Sequence, residues 1–270
     1  MSVVVNGAEE PLLICKGAPR EVIGQCSARA SQAGPVPLSP EGRSSILASA
    51  DQLAGQGLRV LAVAIKPRCT NWQDQDSAAL EAQLQLVALV GLLDPPRAEV
   101  PDAIAACRSA GIKVTMVTGD SGLTAQAIAR QIGLLAPEET GSAHSGANPV
   151  RVIQGEDLDK LSDVQLQQLL KFRTRLVFAR MAPEQKLRLV QAYRSLGEVV
   201  GVTGDGVNDG PALRAADVGV AMGRSGTDVA REAADIVLLD DNFATITTAV
   251  RHGRGVVANI QRFITYVIAS

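Results

Sequence analysis

From Asp94 onward, short β-branched runs alternate with segments of helical spacing, and this alternation restricts the possible fold more than any other feature. Six runs indicate strands: Lys113–Thr118, Val150–Gln154, Leu176–Ala179, Val199–Thr203, Val218–Ala221 and Ile236–Leu239. The helical segments are Asp102–Ala110, Leu123–Ile132, Asp157–Lys171, Pro183–Leu196 and Thr227–Ala234. Such alternation is typical of a parallel sheet covered by helices. We therefore predict a doubly wound α/β domain.

The residues before Asp94 have a different pattern, which we interpret as part of a second, α+β domain joined near Leu92–Pro96. Its predicted elements are the strands Val3–Val5, Leu12–Cys15 and Leu58–Ile65, the helix Glu41–Ala54 and the surface loop Thr70–Asp76. In the α/β domain, Thr140–Pro149 is rich in Gly, Ser and Ala, and we expect a flexible insertion there.

The carboxyl end changes character again. From Phe243 a helical pattern continues without a stop signal into the apolar run Phe263–Ala269. That run is shorter than the roughly 20 apolar residues that span a bilayer. A terminal helix packed on the domain and the first part of a membrane span both fit the pattern.

The composition excludes some classes of protein. The 26 basic and 28 acidic residues nearly balance, so we expect no nucleic-acid surface. The cysteines and histidines are scattered: Cys15, Cys26, Cys69, Cys107, His144 and His252. A zinc site or a disulfide framework is therefore not expected, and reduced thiols in a cytosolic setting fit better. The amino terminus lacks the basic and apolar regions of a signal peptide.

Two carboxylates follow the fourth predicted strand of the α/β domain, in the glycine-rich sequence Thr-Gly-Asp-Gly-Val-Asn-Asp. Asp205 and Asp209 are four residues apart, and Gly204 and Gly206 permit a tight turn. Ligands of an open α/β sheet bind at the carboxyl ends of its strands. Carboxylate oxygens there suit Mg²⁺, which takes one or two protein carboxylates together with water and phosphate. An Asp-rich turn that only caps the next helix is the alternative.

Two other strand ends carry groups suited to phosphate. Thr118 ends a strand in Thr-Gly-Asp, and its hydroxyl and the following amides can donate to phosphate oxygens, although Thr-Gly-Asp is also an ordinary helix entry. Lys186 lies in the first turn of a helix that begins at Pro183, where the helix dipole disfavours a cation. A buried anionic partner would explain this lysine, and a solvated surface lysine is the alternative.

Together these groups form a phosphoryl-transfer site without its nucleophile. We expect the missing aspartate at the end of the first strand of the sheet. The sequence Asp-Lys-Thr-Gly-Thr occurs nowhere in this chain. We therefore expect that the chain does not catalyse the reaction by itself.

In this order, the motifs resemble those of the haloacid dehalogenase superfamily and, within it, the calcium-pump and sodium/potassium-pump branch of the P-type ATPases. The resemblance covers nearly the whole chain and rests on Lys16–Pro19, Asp94–Arg97, Met116–Asp120, Thr203–Leu213 and Asp240–Phe243. The chain differs at Gly210, where the family usually has alanine.

The resemblance implies three parts: part of a nucleotide-binding domain in residues 1–92, a haloacid dehalogenase-like phosphorylation domain in 93–255, and a stalk with the start of a transmembrane helix in 256–270. It places this segment on the cytoplasmic face of a multi-pass membrane protein. The implied cofactors are ATP and Mg²⁺. The implied partners are the membrane and the rest of the pump, including its actuator domain and membrane helices.

The resemblance also implies residue roles. The catalytic group is Lys186, Thr118, Gly119, Asp205, Asn208 and Asp209, with Asp205 and Asp209 at the metal. The nucleotide-binding group is Lys16, Arg59, Asp94, Arg97, Asp120 and Arg180. Lys16 would line the adenosine pocket, and Arg59 would reach the phosphates.

Two other functions remain open at this point. A soluble phosphatase of the same superfamily would need an amino-terminal Asp-x-Asp, and it would have no use for Lys16–Pro19 or the apolar tail. A non-catalytic nucleotide-binding or regulatory module would need only the binding residues. The transported ion is not encoded in these motifs.

Overall fold

The computed structural model describes residues 1–6, 11–67, 72, 76–135, 151–172 and 176–269. The chain divides into two compact units, Met1–Pro95 and Pro96–Ser270, which are described separately. The predicted insertion Thr140–Pro149 lies outside the described residues. So does most of the predicted loop Thr70–Asp76.

The first unit contains a six-stranded sheet. Its strands are β1 (Ser2–Asn6), β2 (Pro11–Gly17), β3 (Cys26–Arg29), β4 (Val36–Pro37), β5 (Arg59–Lys66) and β6 (Leu84–Leu92), in the order β1-β2-β5-β6-β3-β4. The helices are α1 (Pro19–Gln25), α2 (Pro40–Gly55) and α3 (Ser77–Leu80). Neighbouring strands are antiparallel, except that β3 and β6 are parallel.

Side chains along a strand point alternately to the two faces of the sheet, and in this sheet one face is covered and the other is open. Leu13 and Cys15 of β2 and Ala62 and Ala64 of β5 are buried in one core with residues of α1. On the opposite face, residues such as Val3 are exposed. The three strands and the helix predicted in this unit are confirmed to within about two residues at each end.

The second unit contains two parallel three-stranded sheets rather than the single sheet expected. One has the order β7 (Met116–Val117), β9 (Leu176–Ala179), β8 (Arg151–Gln154), and the other the order β10 (Gly201–Gly204), β11 (Val218–Met222), β12 (Ile236–Leu238). The helices are α4 (Val100–Ser109), α5 (Gly122–Gln131), α6 (Gly155–Asp159), α7 (Asp163–Phe172), α8 (Pro183–Ser195), α9 (Gly210–Ala215), α10 (Asp228–Ala233) and α11 (Phe243–Ala269).

Helices cover both faces of the β7-β9-β8 sheet. Leu176 and Phe178 pack into a core with Leu166 of α7, whereas Val177 and Ala179 pack into a second core with residues of α4 and α5. All four residues of β9 are buried, as expected for a central strand of a parallel sheet. The prediction of an α/β unit with parallel strands is therefore confirmed.

Two predicted strands of this unit are shorter than expected. The strand Lys113–Thr118 is reduced to β7, whose two residues pair with Val177 and Phe178 of β9. The strand expected from Val199 begins at Gly201, because the Val200 amide donates to the side chain of Asp217.

The helix predicted over Asp157–Lys171 is two helices, α6 and α7. Ser162 and Gln165 exchange hydrogen bonds between their side chains and backbone amides, at 2.9 and 3.3 Å. This reciprocal arrangement is a capping box, which begins a new helix. The break therefore comes from Ser162 and not from a loss of helical spacing.

The predicted long helix from Phe243 is confirmed as α11, which has 27 residues. Its beginning packs on α4, and Phe243 contacts the core beneath it. Its second half exposes large apolar side chains: Val256, Val257, Ile260, Phe263, Ile264, Tyr266, Val267 and Ile268. None of the helices in the described ranges is both long and apolar enough to cross a membrane.

Alanine substitutions at two glycines of the second unit should have opposite effects on stability. At Gly210 the backbone is helical, and an added Cβ would meet Val229 at an ordinary 3.5 Å, so Gly210→Ala should stabilise the protein by about 0.4–1 kcal/mol. At Gly226 the Cβ would lie 2.0 Å from the Met222 carbonyl oxygen, so Gly226→Ala should destabilise it by about 1–3 kcal/mol. Urea unfolding with unchanged m-values measures both. A loss of stability in Gly210→Ala would contradict the prediction.

Candidate functional site

The turn that follows β10 is closed by Asp209. The carboxylate Oδ2 of Asp209 accepts hydrogen bonds from the amides of Asp205, at 3.3 Å, and Gly206, at 3.1 Å. A 3₁₀ turn over Val207–Asp209 then leads directly into α9. A Cβ on Gly204 would lie 2.5 Å from the Cβ of Asp209, so only glycine fits beside this carboxylate.

The other oxygen of Asp209 is paired with Lys186. The Lys186 Nζ donates to Asp209 Oδ1 at 2.7 Å, and the two side chains are only 19% and 14% exposed. Because both groups are largely removed from water, their attraction is weakly screened. This anion explains why a cation is tolerated in the first turn of α8.

Asp205 is therefore the carboxylate of the pair that is open to a ligand. It is exposed at the carboxyl end of β10, as is Asn208 in the same turn, whereas both oxygens of Asp209 hold protein donors. Over the described ranges, no three side chains from His, Cys, Asp and Glu converge on one point. One exposed carboxylate fits Mg²⁺, which takes few protein ligands and fills its shell with water and phosphate oxygens.

The end of β7 is tied to the segment that follows β9. The Thr118 hydroxyl accepts from the Asp120 amide at 3.1 Å and donates to the Asp120 carboxylate at 3.2 Å. The Thr118 carbonyl accepts from the Met181 amide at 3.0 Å, and the Asp120 carbonyl accepts from the Arg180 amide at 2.9 Å. Gly119 is exposed at this point, and a Cβ added there would meet open space.

These contacts join the two parallel sheets through α8. The segment bound to the end of β7 leads into α8 at Pro183, and Lys186 of α8 then binds Asp209 beyond β10. The structure thus brings Lys186, Asp205 and Asp209 together in one group. It ties Thr118, Asp120 and Arg180 together in a second group on the same connection.

Arg180, the last member of the second group, is exposed and has a left-handed backbone, with φ of 52°. The two predicted residues Arg97 and Asp94 have different surroundings. The Arg97 guanidinium lies 3.5 Å from the carbonyl oxygen of Asp240, within its own unit. Asp94 is an exposed residue at the end of the first unit.

In the first unit, Lys16 and Arg59 lie on the same face of the sheet. Lys16 pairs with Val63 across β2 and β5, and Arg59 is four residues from Val63 on β5, so the two cations share one side of the pleat. Both are exposed, and this face is opposite the core that contains Ala62. Four residues along a strand correspond to about 13 Å.

Sequence reasoning missed two contributors to the site. The Thr227 amide donates to the Asp205 carbonyl at 2.8 Å, and Asp241 binds the loop that precedes Thr227. Asp241 belongs to the Asp-Asp-Asn sequence directly before a long helix, which is a pattern typical of capping. The bonds to the start of that helix come from Asp240 and Asn242, so the pattern gave no signal that Asp241 binds the distant loop.

Comparisons with a protein family and with individual proteins all point to P-type ATPases. Residues 1–99 match the family described as P-type ATPase, cytoplasmic domain N. The chain is 41% identical, over 98% of its length, to the sodium/potassium-transporting ATPase subunit alpha-2 of Homo sapiens. It is 43% identical, over 99% of its length, to the probable cation-transporting ATPase F of Mycobacterium tuberculosis. It spans 28% of the length of each of these relatives.

A double-mutant cycle should detect strong coupling between Lys186 and Asp209. With Lys186→Met and Asp209→Asn, we expect a coupling free energy of about 1–3 kcal/mol, because the pair is close and largely buried. The pair Lys160–Asp157, at 3.1 Å and with both side chains more than half exposed, is the matched control and should give about 0.2–0.5 kcal/mol. Urea unfolding of each set of four proteins supplies the values. Equal coupling in the two cycles would contradict the prediction.

Proposed function

Because this chain belongs to the P-type cation-transporting ATPases, we propose that it carries the nucleotide-binding and phosphoryl-transfer residues of an ATP-driven cation pump. In this proposal, residues 1–92 are part of the nucleotide-binding domain and 93–255 form a haloacid dehalogenase-like phosphorylation domain. The pump would move a cation across a membrane while ATP phosphorylates an aspartate, with release of ADP, and water then hydrolyses the aspartyl phosphate to aspartate and inorganic phosphate.

The observation that carries the proposal is the ion pair between Lys186 and Asp209. It holds a cation at the turn that carries the exposed carboxylate of Asp205. This turn follows the carboxyl end of β10, where open α/β sheets bind ligands. A turn that only capped α9 would need neither the lysine nor an exposed second carboxylate. A site for an anionic group and a divalent cation needs both.

Each residue then has a chemical task. Mg²⁺, held by Asp205, would neutralise phosphate charge and orient the transferring group. Lys186 would place a fixed positive charge beside the phosphoryl oxygens without reorganisation during the reaction. The Gly119 amide would donate to those oxygens from the end of β7, as would the Thr118 hydroxyl once it turned away from the Asp120 carboxylate. Asn208 would support them from the turn. Asp209 would keep Lys186 and the turn in place.

The open face of the first unit would bind the nucleotide. Lys16 and Arg59 offer two cations on one side of a sheet, and apolar side chains surround them. A purine can pack on the apolar surface while the cations bind the ribose and phosphates. Asp94, Arg97, Asp120 and Arg180 would contribute to nucleotide binding as the resemblance implies.

The nucleophilic aspartate would come from a strand that is not in this sequence. We further propose that α11 is the stalk and that its apolar second half begins a transmembrane helix. The actuator domain and the remaining membrane helices would be its partners within the pump. This segment would then lie on the cytoplasmic face.

A non-catalytic nucleotide-binding module is the second candidate. The Lys16 and Arg59 face would serve it equally well, but such a module would not require Lys186 at the turn that carries Asp205. The phosphorylation experiment below distinguishes the two functions.

Phosphoenzyme formation in the complete pump tests the catalytic assignment. Asp205→Asn removes one charge at constant size and should abolish or greatly slow formation at ordinary Mg²⁺ concentrations. Lys186→Ala should slow it by about 10²- to 10³-fold, the usual loss for one preorganised donor. The rate is measured with γ-labelled ATP as a function of Mg²⁺ concentration.

The chain alone, which lacks the nucleophile, should incorporate no acid-stable label. If Asp205→Asn keeps the wild-type rate and Mg²⁺ dependence, the two carboxylates only cap the following helix and do not bind the metal.

Nucleotide affinity tests the assignment of the first unit. Lys16→Ala and Arg59→Ala should each weaken binding in the complete pump by roughly 1–3 kcal/mol, because each removes charge-assisted hydrogen bonds. Arg20→Ala is the control, since Arg20 is exposed on α1, on the covered side of the sheet, where it pairs with Asp51. Titration under conditions that prevent turnover gives the affinities. If all three variants bind equally well, the nucleotide site lies elsewhere.

A further inference from the structure

Three neighbouring strand ends in the second unit are linked by hydrogen bonds that run across the sheet. Asp205 follows β10, the loop Gly223–Gly226 follows β11, and Asp241 follows β12. The Gly223 amide donates to the Leu238 carbonyl at 2.8 Å, which ties the second strand end to the third. The loop therefore lies between the candidate metal ligand and the start of α11.

The side chain of Asp241 holds this loop by its amides. Its two carboxylate oxygens accept from the amide of Arg224, at 2.9 Å, and from the amide of Ser225, at 2.8 Å. The hydrogen bond from Arg224, with further bonds from Ser225, lowers the pKa of the Asp241 carboxyl to about 2. The group is therefore an anion at neutral pH and acts only as an acceptor.

Arg231 holds the same loop by its carbonyls. The guanidinium of this α10 residue donates to the Gly223 carbonyl at 3.0 Å and to the Gly226 carbonyl. Gly226 cannot be replaced here without moving Met222, as noted above. A loop whose amides and carbonyls are both bound to charged side chains has little freedom to shift.

The loop ends on the backbone of Asp205. The Thr227 amide donates to the Asp205 carbonyl at 2.8 Å, and the Asp205 amide is held by Asp209 at 3.3 Å. Both peptide groups that flank the Asp205 Cα are therefore fixed. Since the backbone determines where a side chain can point, these two bonds direct the Asp205 carboxylate.

Asp241 has a left-handed backbone, with φ of 52°, and stands two residues before α11. A non-glycine residue in this conformation costs free energy and persists only where its surroundings require it. The carboxylate bonds of Asp241 supply that requirement. The same residue thus binds the loop to the segment that leads into α11.

We propose that Asp241 is a positioning residue for Asp205, which it directs through the loop Gly223–Gly226 and the Thr227 amide that follows it. The proposal rests on the proposed function only where Asp205 is taken as the Mg²⁺ ligand. The positioning itself depends on hydrogen bonds within one unit. It assigns a role to the second aspartate of Asp240–Phe243 that the motif alone does not specify.

The test compares Asp241→Asn with Asp235→Asn in the 270-residue chain. Asp235 is a matched control because its carboxylate also binds a backbone amide of β11, that of Gly219 at 2.8 Å, but at the amino end of the strand. Amide NMR signals of Asp205 and Gly206 report Mg²⁺ binding during titration. Hydrogen exchange of the Thr227 amide reports whether the loop is still bound to Asp205.

In Asp241→Asn we expect a Mg²⁺ dissociation constant that is higher by roughly 10-fold, the usual effect of losing a residue that orients a metal ligand. Exchange at Thr227 should accelerate by a similar factor of about 10. Asp235→Asn should change neither the Mg²⁺ dissociation constant nor the Thr227 exchange rate by more than about twofold, although it also removes a hydrogen bond to a carboxylate. Asp241→Gly should give the same pattern with a smaller loss of stability, because glycine accepts the left-handed backbone.

Two results would overturn the proposal. In the first, both Asp241 variants show the same Thr227 exchange rate and the same Asp205 signals as Asp235→Asn. The second is altered exchange with unchanged Mg²⁺ affinity. If the wild-type chain shows no response to Mg²⁺, the assignment of Asp205 as a metal ligand fails separately. The Thr227 exchange and the Asp205 signals then decide whether Asp241 positions Asp205.

Discussion

The ion pair between Lys186 and Asp209 is the interaction on which the rest of the site depends. Lys186 stands at the start of α8, where the helix dipole opposes a cation, and both side chains are largely withdrawn from water. Each charge would be unfavourable alone, and together they fix the position of α8 against the turn after β10. The end of β7 is bound to the segment that leads into α8, so this pair links that strand end to the turn after β10.

The two carboxylates of the turn have different tasks, although their sequence positions look equivalent. Asp209 accepts two amides of its own turn and the lysine, so its charge is used within the protein. Asp205 is held by its backbone and leaves its side chain exposed. A spacing of four residues predicted that both would face a ligand. Which of them remains available depends on hydrogen bonds that form only when the turn closes.

Sequence reasoning succeeded where local pattern decides structure and failed where capping or pairing decides it. The buried run Leu176–Ala179 and the long helix from Phe243 were predicted because their apolar spacing is strong. The strand Leu84–Leu92 was missed, since apolar residues occupy both of its faces and a bulge near Val87 interrupts its pairing with β5. The capping box of Ser162 divides one predicted helix into two, and apolar spacing does not reveal it. The strand-end positions of Thr118 and Asp205 were predictable, but the partner of Lys186 was not.

Backbone conformation carries information about the site that residue type does not. Arg180 and Asp241 both have φ of 52°, and both follow strands of the second unit. Glycine would adopt this conformation without the steric cost of roughly 1 kcal/mol that a Cβ imposes. At Asp241 the two amide hydrogen bonds of the carboxylate offset that cost, and glycine could not make them. The strain is therefore maintained by the same bonds that hold the loop beside Asp205, so that loosening the carboxylate would release both at once.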